Sequence, residues 1–159
     1  MVAIETELRQ VVEAATGRLL ELSDAAAAVE RAKGKWSPKQ VIGHLIDSAS
    51  NNHQRFVRAQ FTQDLVFPGY EQDDWVAVQR YQSAPWQELV ALWRHFNLHL
   101  ARVIEAIPVP VRQSLRRRHN LHELAWHTVP QEQPTTLEYF LRDYVGHLRH
   151  HLAQVLGPQ

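Results

Sequence analysis

The stretch that decides the fold is "WSPKQVIGHLIDSASNNHQRF", residues 36–56. Ser37 can cap a helix, and Pro38 suits the first helical position because its missing N–H would have no intrahelical partner there. The residues that follow form one stripe at helical spacing. Its members are Val41, Leu45, Ser48, Asn52 and Phe56. The pattern predicts a helix over residues 38 to about 60.

Three further segments have the apolar periodicity of long helices. They span residues 4–20, about 85–107, and a last helix that Thr135 or Thr136 caps and that continues to Leu156. A short helix is expected over 74–82, and a long loop, with one turn of helix near "LHELAWH", fills 112–134 before the last helix. No strand-like alternation of useful length occurs. We therefore predict an all-α four-helix bundle, formed as a single domain over residues 1–159.

Composition and charge limit the classes of function. The chain has 159 residues, of which 45% are hydrophobic and 21% charged, as is typical of a globular domain. Its 17 basic side chains balance 17 acidic ones, so no net field attracts nucleic acid or an anionic membrane. The basic run "LRRRH" at 115–119 lacks interleaved aromatic residues and is typical of a solvated turn. We expect no nucleic-acid partner.

The chain has no cysteine, which excludes disulfides, thiolate metal sites and a cysteine nucleophile. The first 22 residues carry early acidic side chains and no continuous apolar core, unlike a signal peptide. No apolar stretch approaches the roughly 20 residues that a membrane span requires. These features predict a cytoplasmic protein that does not enter a membrane.

Ten histidines are an unusually large number for this length. His147 and His151 are four residues apart on the last helix, and His95 and His99 have the same spacing on the third. Both members of such a pair point the same way and can reach one metal ion. His150 points about 100° away from His151 and is expected to face solvent. The loop histidines, which are His119, His122 and His127, are expected at the surface. Of these, only His127 could reach a pocket.

His44 lies in the apolar stripe of its helix and is the only histidine in the first half of that helix. It is the natural third member of a three-histidine site with His147 and His151. Asp47, at i+3, is the best candidate for a catalytic group, because it could orient an imidazole or hydrogen-bond a ligand of the metal. Asn51, one turn further, could hold substrate. The alternative is that a carbonyl or carboxylate satisfies each histidine.

Three segments in this order carry a family resemblance. They are "WSPKQVIGHLIDS", "DDWVAVQRYQSAPWQELVALWRHFNLHL" and, about a hundred residues after the first, "YVGHLRHHLAQ". Together they resemble the DinB-like superfamily, particularly its YfiT-like branch of metal-dependent hydrolases. The resemblance implies a four-helix bundle in which one histidine of the second helix and two of the last bind a divalent metal, often zinc or nickel. Those positions are His44, His147 and His151, whereas His95 and His99 match no family ligand.

A site of three neutral imidazoles leaves a divalent ion with its full charge and an open position, as in catalytic sites. Such an ion can activate water or bind a thiol as thiolate. The resemblance accordingly implies a hydrolase or a transferase that uses a low-molecular-weight thiol, acting on a small molecule. Five loop residues could rim the site, although capping of the core is the simpler role for the two tryptophans. These residues are Tyr70, Asp74, Trp75, Trp126 and His127.

Two other hypotheses stay open. The chain could be a metal-binding or stress-response bundle without turnover, or a structural bundle whose histidines are satisfied internally.

The resemblance also implies a homodimer, for which the apolar side formed by Trp86 and Trp93 is the expected surface.

Overall fold

The computed structural model describes residues 2–157. These residues contain eight α-helices and two very short strands, joined by turns and loops. In chain order, the first elements are α1 (Ile4–Leu20), α2 (Asp24–Ala27), α3 (Pro38–Arg58) and α4 (Gln72–Val78). A 3-10 turn (Tyr81–Ser83) then precedes α5 (Trp86–Ala106) and α6 (Val109–Gln113). The last elements are β1 (Leu115–Arg116), α7 (Leu121–Leu124), β2 (Thr135–Thr136) and α8 (Leu137–Leu156).

The four long helices form the predicted four-helix bundle. Helix α1 packs against α5 and α8, and α3 packs against the same two helices. Consecutive long helices α1 and α3 therefore face each other across one diagonal, and α5 and α8 across the other. This order makes α3 and α8, the two helices that carry the candidate metal ligands, direct neighbours.

Helix α3 begins as its sequence predicts. The Ser37 hydroxyl accepts from the backbone N–H of Gln40, and the Gln40 side chain accepts from the backbone N–H of Ser37, with Pro38 in the first turn. The helix ends at Arg58, two residues before the predicted end, because the backbone tightens there. The N–H groups of Gln60 and Phe61 donate to carbonyls only three residues back.

The centre of the bundle is aromatic. Trp86 and Trp93 are 2% and 0% exposed, and the Trp86 indole N–H donates to the Leu19 carbonyl of α1. The Tyr144 hydroxyl donates to the Asn97 side chain across the α5–α8 diagonal. The expected dimer surface is therefore wrong, because the two tryptophans that would form it fill the core of a single chain. The homodimer itself stays a prediction.

Two expectations for the connecting segments need correction. The extra helix is α4 at Gln72–Val78 rather than 74–82, since Arg80 adopts a left-handed conformation (φ 53°) that separates it from the 3-10 turn. Strands also occur: β1 pairs antiparallel with β2, and Leu65 forms a single bridge with His119. Pairings two residues long leave no alternation in a sequence, so the absence of periodicity could not exclude them. None of the described helices combines the length and hydropathy that a membrane crossing requires.

Candidate metal centre

Three histidines meet where α3 packs against α8. His44 comes from the second turn of α3 and is 2% exposed, and His147 and His151 come from successive turns of α8 and are half-buried. Each offers a ring nitrogen within 4.8 Å of the other two. Within residues 2–157, no other set of three or more histidines and carboxylates comes this close together. The structure therefore brings together the three predicted ligands.

The spacing of the nitrogens fits a small tetrahedral cation. The Nε2 atoms of His44 and His147 are 3.3 Å apart. Two nitrogens of a tetrahedral zinc site, each about 2.05 Å from the metal, are about 3.4 Å apart. The Nδ1 of His151 lies 3.0 Å from the Gln154 side-chain oxygen, which can only accept, so Nδ1 carries the proton and Nε2 keeps a free lone pair.

Burial keeps the imidazoles neutral. Loss of hydration lowers the pKa of His44 to about 3, with a smaller contribution from His151. The pKa of His147 also falls to about 3, first through burial and then through its histidine neighbours. Burial lowers the pKa of His151 as well, against the opposing bond to Gln154. At neutral pH all three rings can offer lone pairs, which is the form that binds a metal.

Asp47 follows His44 by three residues on α3 and does not line the cavity that the histidines border. Its Oδ1 accepts from the Tyr81 hydroxyl at 2.6 Å and from the Gln79 amide at 2.7 Å, whereas its buried Oδ2 has no partner within the described chain. Burial raises the pKa of this carboxyl despite the two hydrogen bonds. The Nδ1 of His44, one helical turn away, is likewise buried and unpaired there. The catalytic role of Asp47 stays a prediction.

A cavity of about 840 Å³ opens beside His44 and His147. Helix α3 lines it with a stripe that continues from His44, and α8 lines it opposite. Polar residues of the wall that had no assigned role include Ser48, Asn52, Arg55 and Asp143 on the two helices and Glu71, Gln72 and Glu123 outside them. This volume is within the usual range for a site that binds a small molecule.

Only some of the residues predicted to rim the site line the cavity. Tyr70 and Trp126 line the cavity, but Asp74 and Trp75 do not, because α4 directs them elsewhere. Asn51 is also outside the wall and borders a separate groove, although its i+7 spacing places it on nearly the same face of α3 as His44.

The remaining histidines do not belong to the three-histidine cluster, although the exposed ring of His150 lies 5.2 Å from that of His151. His95 and His99 are exposed, and the ring of His99 lies 5.2 Å from that of His53. His150 is exposed, as predicted, but the surface position expected for His119 is wrong. That ring is 2% exposed, with Nε2 2.8 Å from the Gln133 carbonyl and Nδ1 accepting from the N–H of Leu121. His127 lies outside the cavity wall, 3.3 Å from Asp143.

Asp143 fixes the loop that covers the site. Its two carboxylate oxygens accept from the backbone N–H groups of Trp126 and His127 at 2.7 and 2.8 Å. The ring of Trp126 is then held near His147, with 6.5 Å between ring centroids, and over Gly146, where a Cβ atom would lie only 3.1 Å from the indole. Sequence spacing gives no sign of this contact, which joins α8 to a loop 17 residues earlier.

Comparison with known proteins supports the architecture. A model of the DinB superfamily matches residues 7–155. Among solved structures, YfiT from Bacillus subtilis is similar with a TM-score of 0.73 and 21% identity, over 95% of this chain and 83% of that one. It is described as a probable metal-dependent hydrolase with an unusual four-helix bundle topology. At this identity the likeness shows a shared fold. No functionally curated protein matches the chain.

Proposed function

The chain belongs to the DinB superfamily, and on that premise we propose that it is a metal-dependent enzyme whose divalent cation is bound by His44, His147 and His151. The reaction that we propose is hydrolysis of a small molecule or transfer to or from a low-molecular-weight thiol. The likeness to YfiT, described as a probable metal-dependent hydrolase, supports the first of these. Zinc and nickel are the proposed metals because the family resemblance implies them, and imidazole ligands suit both ions among other transition metals.

One observation carries the proposal. Three neutral imidazoles from two helices converge beside a cavity of about 840 Å³, with 3.3 Å between the Nε2 atoms of His44 and His147 and all three ligand nitrogens within 4.8 Å of one another. In a purely structural set, the Nε2 atoms of His44 and His147 would have each other as partner through at most one N–H, whereas one cation can bind both rings together with His151.

The chemistry follows from the ligand set. A divalent cation held by three neutral imidazoles keeps its full charge and an open position, and so lowers the pKa of a water or thiol there. The chain's own residues bind and orient the substrate: Tyr70 and Trp126 offer aromatic surface, while Ser48 offers a hydroxyl group along α3. Asp47 is proposed to steady the His44 side of the site, since it is held by Tyr81 and Gln79.

A second candidate function is metal binding without turnover, as in a stress-response module. What favours it is the position of the carboxylates. Asp47 lies outside the cavity wall, and both oxygens of Asp143, which lines the wall, are occupied by backbone N–H groups. A cytoplasmic location and a homodimer stay predictions under either function.

An activity screen tests the proposal. Chelator-treated protein, reloaded with zinc or nickel, would be assayed for hydrolysis of esters and amides and for conjugation of small thiols to electrophiles. We expect turnover that requires the metal, is lost in His151→Ala and is retained in His150→Ala, whose side chain is exposed. Metal uptake without turnover in any assay would favour the second candidate, and no uptake would refute both.

A further inference from the structure

Arg55 is a buried positive charge without a carboxylate partner. It is 5% exposed and lines the same cavity as His44 and His147. Across residues 2–157, no aspartate or glutamate lies within ion-pair distance of its guanidinium. Buried charges in proteins are normally paired, because loss of hydration is costly. Arg55 therefore needs an explanation that the fold does not supply.

The arginine is held firmly but is only partly satisfied. One N–H donates to the Asn52 side-chain oxygen at 3.3 Å, and another to the Pro68 carbonyl at 2.8 Å. Asn52 is itself anchored, since its amide donates to the Ser48 carbonyl at 2.9 Å. The Tyr70 ring packs 5.9 Å from the guanidinium carbon. These contacts fix the side chain and leave its other N–H groups without an acceptor in the described protein.

Helix geometry places Arg55 on the wall that begins at the histidines. Residues 44, 48, 52 and 55 share one stripe of α3, and all four line the cavity. The α-carbons of His44 and Arg55 are about 16 Å apart along the helix axis. The long arginine side chain can shorten this span, so an extended small molecule could contact both ends.

We propose that Arg55 binds a carboxylate or phosphate group of the substrate, so that the metal site acts on an anionic small molecule. The planar guanidinium matches both groups with paired hydrogen bonds. The inference rests on the proposed function in one respect, that the reacting end of the molecule lies at the histidines.

The surrounding charges permit an anion. Burial lowers the pKa of Arg55, but an arginine stays protonated at neutral pH. Of the acidic residues that line the cavity, Glu71 and Glu123 are exposed and so are screened by solvent. The carboxylate of Asp143 is engaged by two backbone N–H groups.

Calorimetry on metal-free protein tests the site without the metal. Inorganic phosphate and succinate would be titrated into wild type, Arg55→Met and Arg58→Met, with succinamide as the uncharged control. Arg58 is exposed, lies on the same helix and borders only the neighbouring groove, which Arg55 also touches. We expect at least one anion to bind wild type and Arg58→Met with the same affinity. Its affinity for Arg55→Met should be lower by a factor of about ten or more. The preferred anion distinguishes a carboxylate substrate from a phosphate.

Three results would overturn the inference: no anion binding by wild type, equal binding by Arg55→Met, or an equal loss in Arg58→Met, which would place the anion in the outer groove. If Arg55→Met does not fold, the Nε–H resonance of Arg55 in wild type decides, since it must shift as the anion is added. Metal uptake is measured separately on the same protein. A failed metal site with intact anion binding, or the reverse, then shows which proposal is wrong.

Discussion

The Nε2 atoms of His44 and His147 lie 3.3 Å apart, although 103 positions separate the two residues in the chain. Both rings are neutral at neutral pH because burial lowers each pKa to about 3. Two neutral imidazoles can share at most one N–H between them, whereas a cation satisfies both lone pairs and that of His151. This contact between α3 and α8 is the centre of the functional account.

Gly43 should be intolerant of a side chain. A Cβ atom there would lie 2.1 Å from Cδ2 of Tyr81, so the ring must move and its hydrogen bond to Asp47 must weaken. We expect Gly43→Ala to lower the free energy of unfolding by about 1–3 kcal/mol, measured by urea denaturation. Gly17→Ala is the matched control, since no atom lies within 4 Å of its new Cβ within α1. It should gain about 0.5–1 kcal/mol, and equal shifts in the two variants would contradict the packing described.

Asp47→Asn should change how stability depends on pH. Burial raises the pKa of Asp47 above its ordinary 3.8, so ionisation is harder in the folded chain than in the unfolded one. The stability that the neutral carboxyl contributes is present below pH 3.8 and is lost as pH rises through the folded pKa. Asparagine does not ionise, so the Asp47→Asn variant does not lose this stability as the pH rises.

Urea denaturation of metal-free protein at several pH values measures this effect. The free energy of unfolding of Asp47→Asn, minus that of wild type, should increase as the pH is raised from below 3.8 to 7. A difference between the two proteins that stays constant over this range would show that burial does not disfavour the Asp47 charge.

Asp143→Asn should loosen the loop over the site. The asparagine side chain keeps one accepting oxygen, but its amide nitrogen cannot accept, so one of the two N–H groups of Trp126 and His127 loses its partner. We expect a loss of about 1–3 kcal/mol in stability and faster hydrogen exchange of those two amides. Glu138→Gln, which breaks an i,i+4 ion pair with Arg142 and alters one exposed hydrogen bond from the Gln113 side chain, should cost less than about 0.5 kcal/mol. Unchanged exchange at residues 126 and 127 would contradict the anchoring role.

Local rules predict the parts of this molecule that depend on neighbours in sequence. The start of α3 follows from Ser37, Pro38 and Gln40, and the shared face of His147 and His151 follows from their spacing. His44 is different, since only tertiary packing brings it to α8. Its assignment depended on a family resemblance as well as on spacing.

The wrong predictions concern residues whose burial depends on contacts with parts of the chain that are distant in sequence. His119 was expected at the surface, but partners at Leu121 and Gln133 enclose it. Trp86 and Trp93 were expected to form an outer face, but the order of helices turns that face toward α1. Arg55 was missed although it lies on the His44 stripe, because an arginine late in a helix is typical of a solvated end.

The most direct test of the central claim is metal content, by inductively coupled plasma mass spectrometry, of protein made without a histidine tag. Wild type, His147→Ala and His150→Ala would be compared after reconstitution with zinc or nickel and removal of free metal. The account predicts one divalent ion per chain in wild type and in His150→Ala, and none in His147→Ala. Wild type that binds no metal, or His147→Ala that binds as much as wild type, would contradict it.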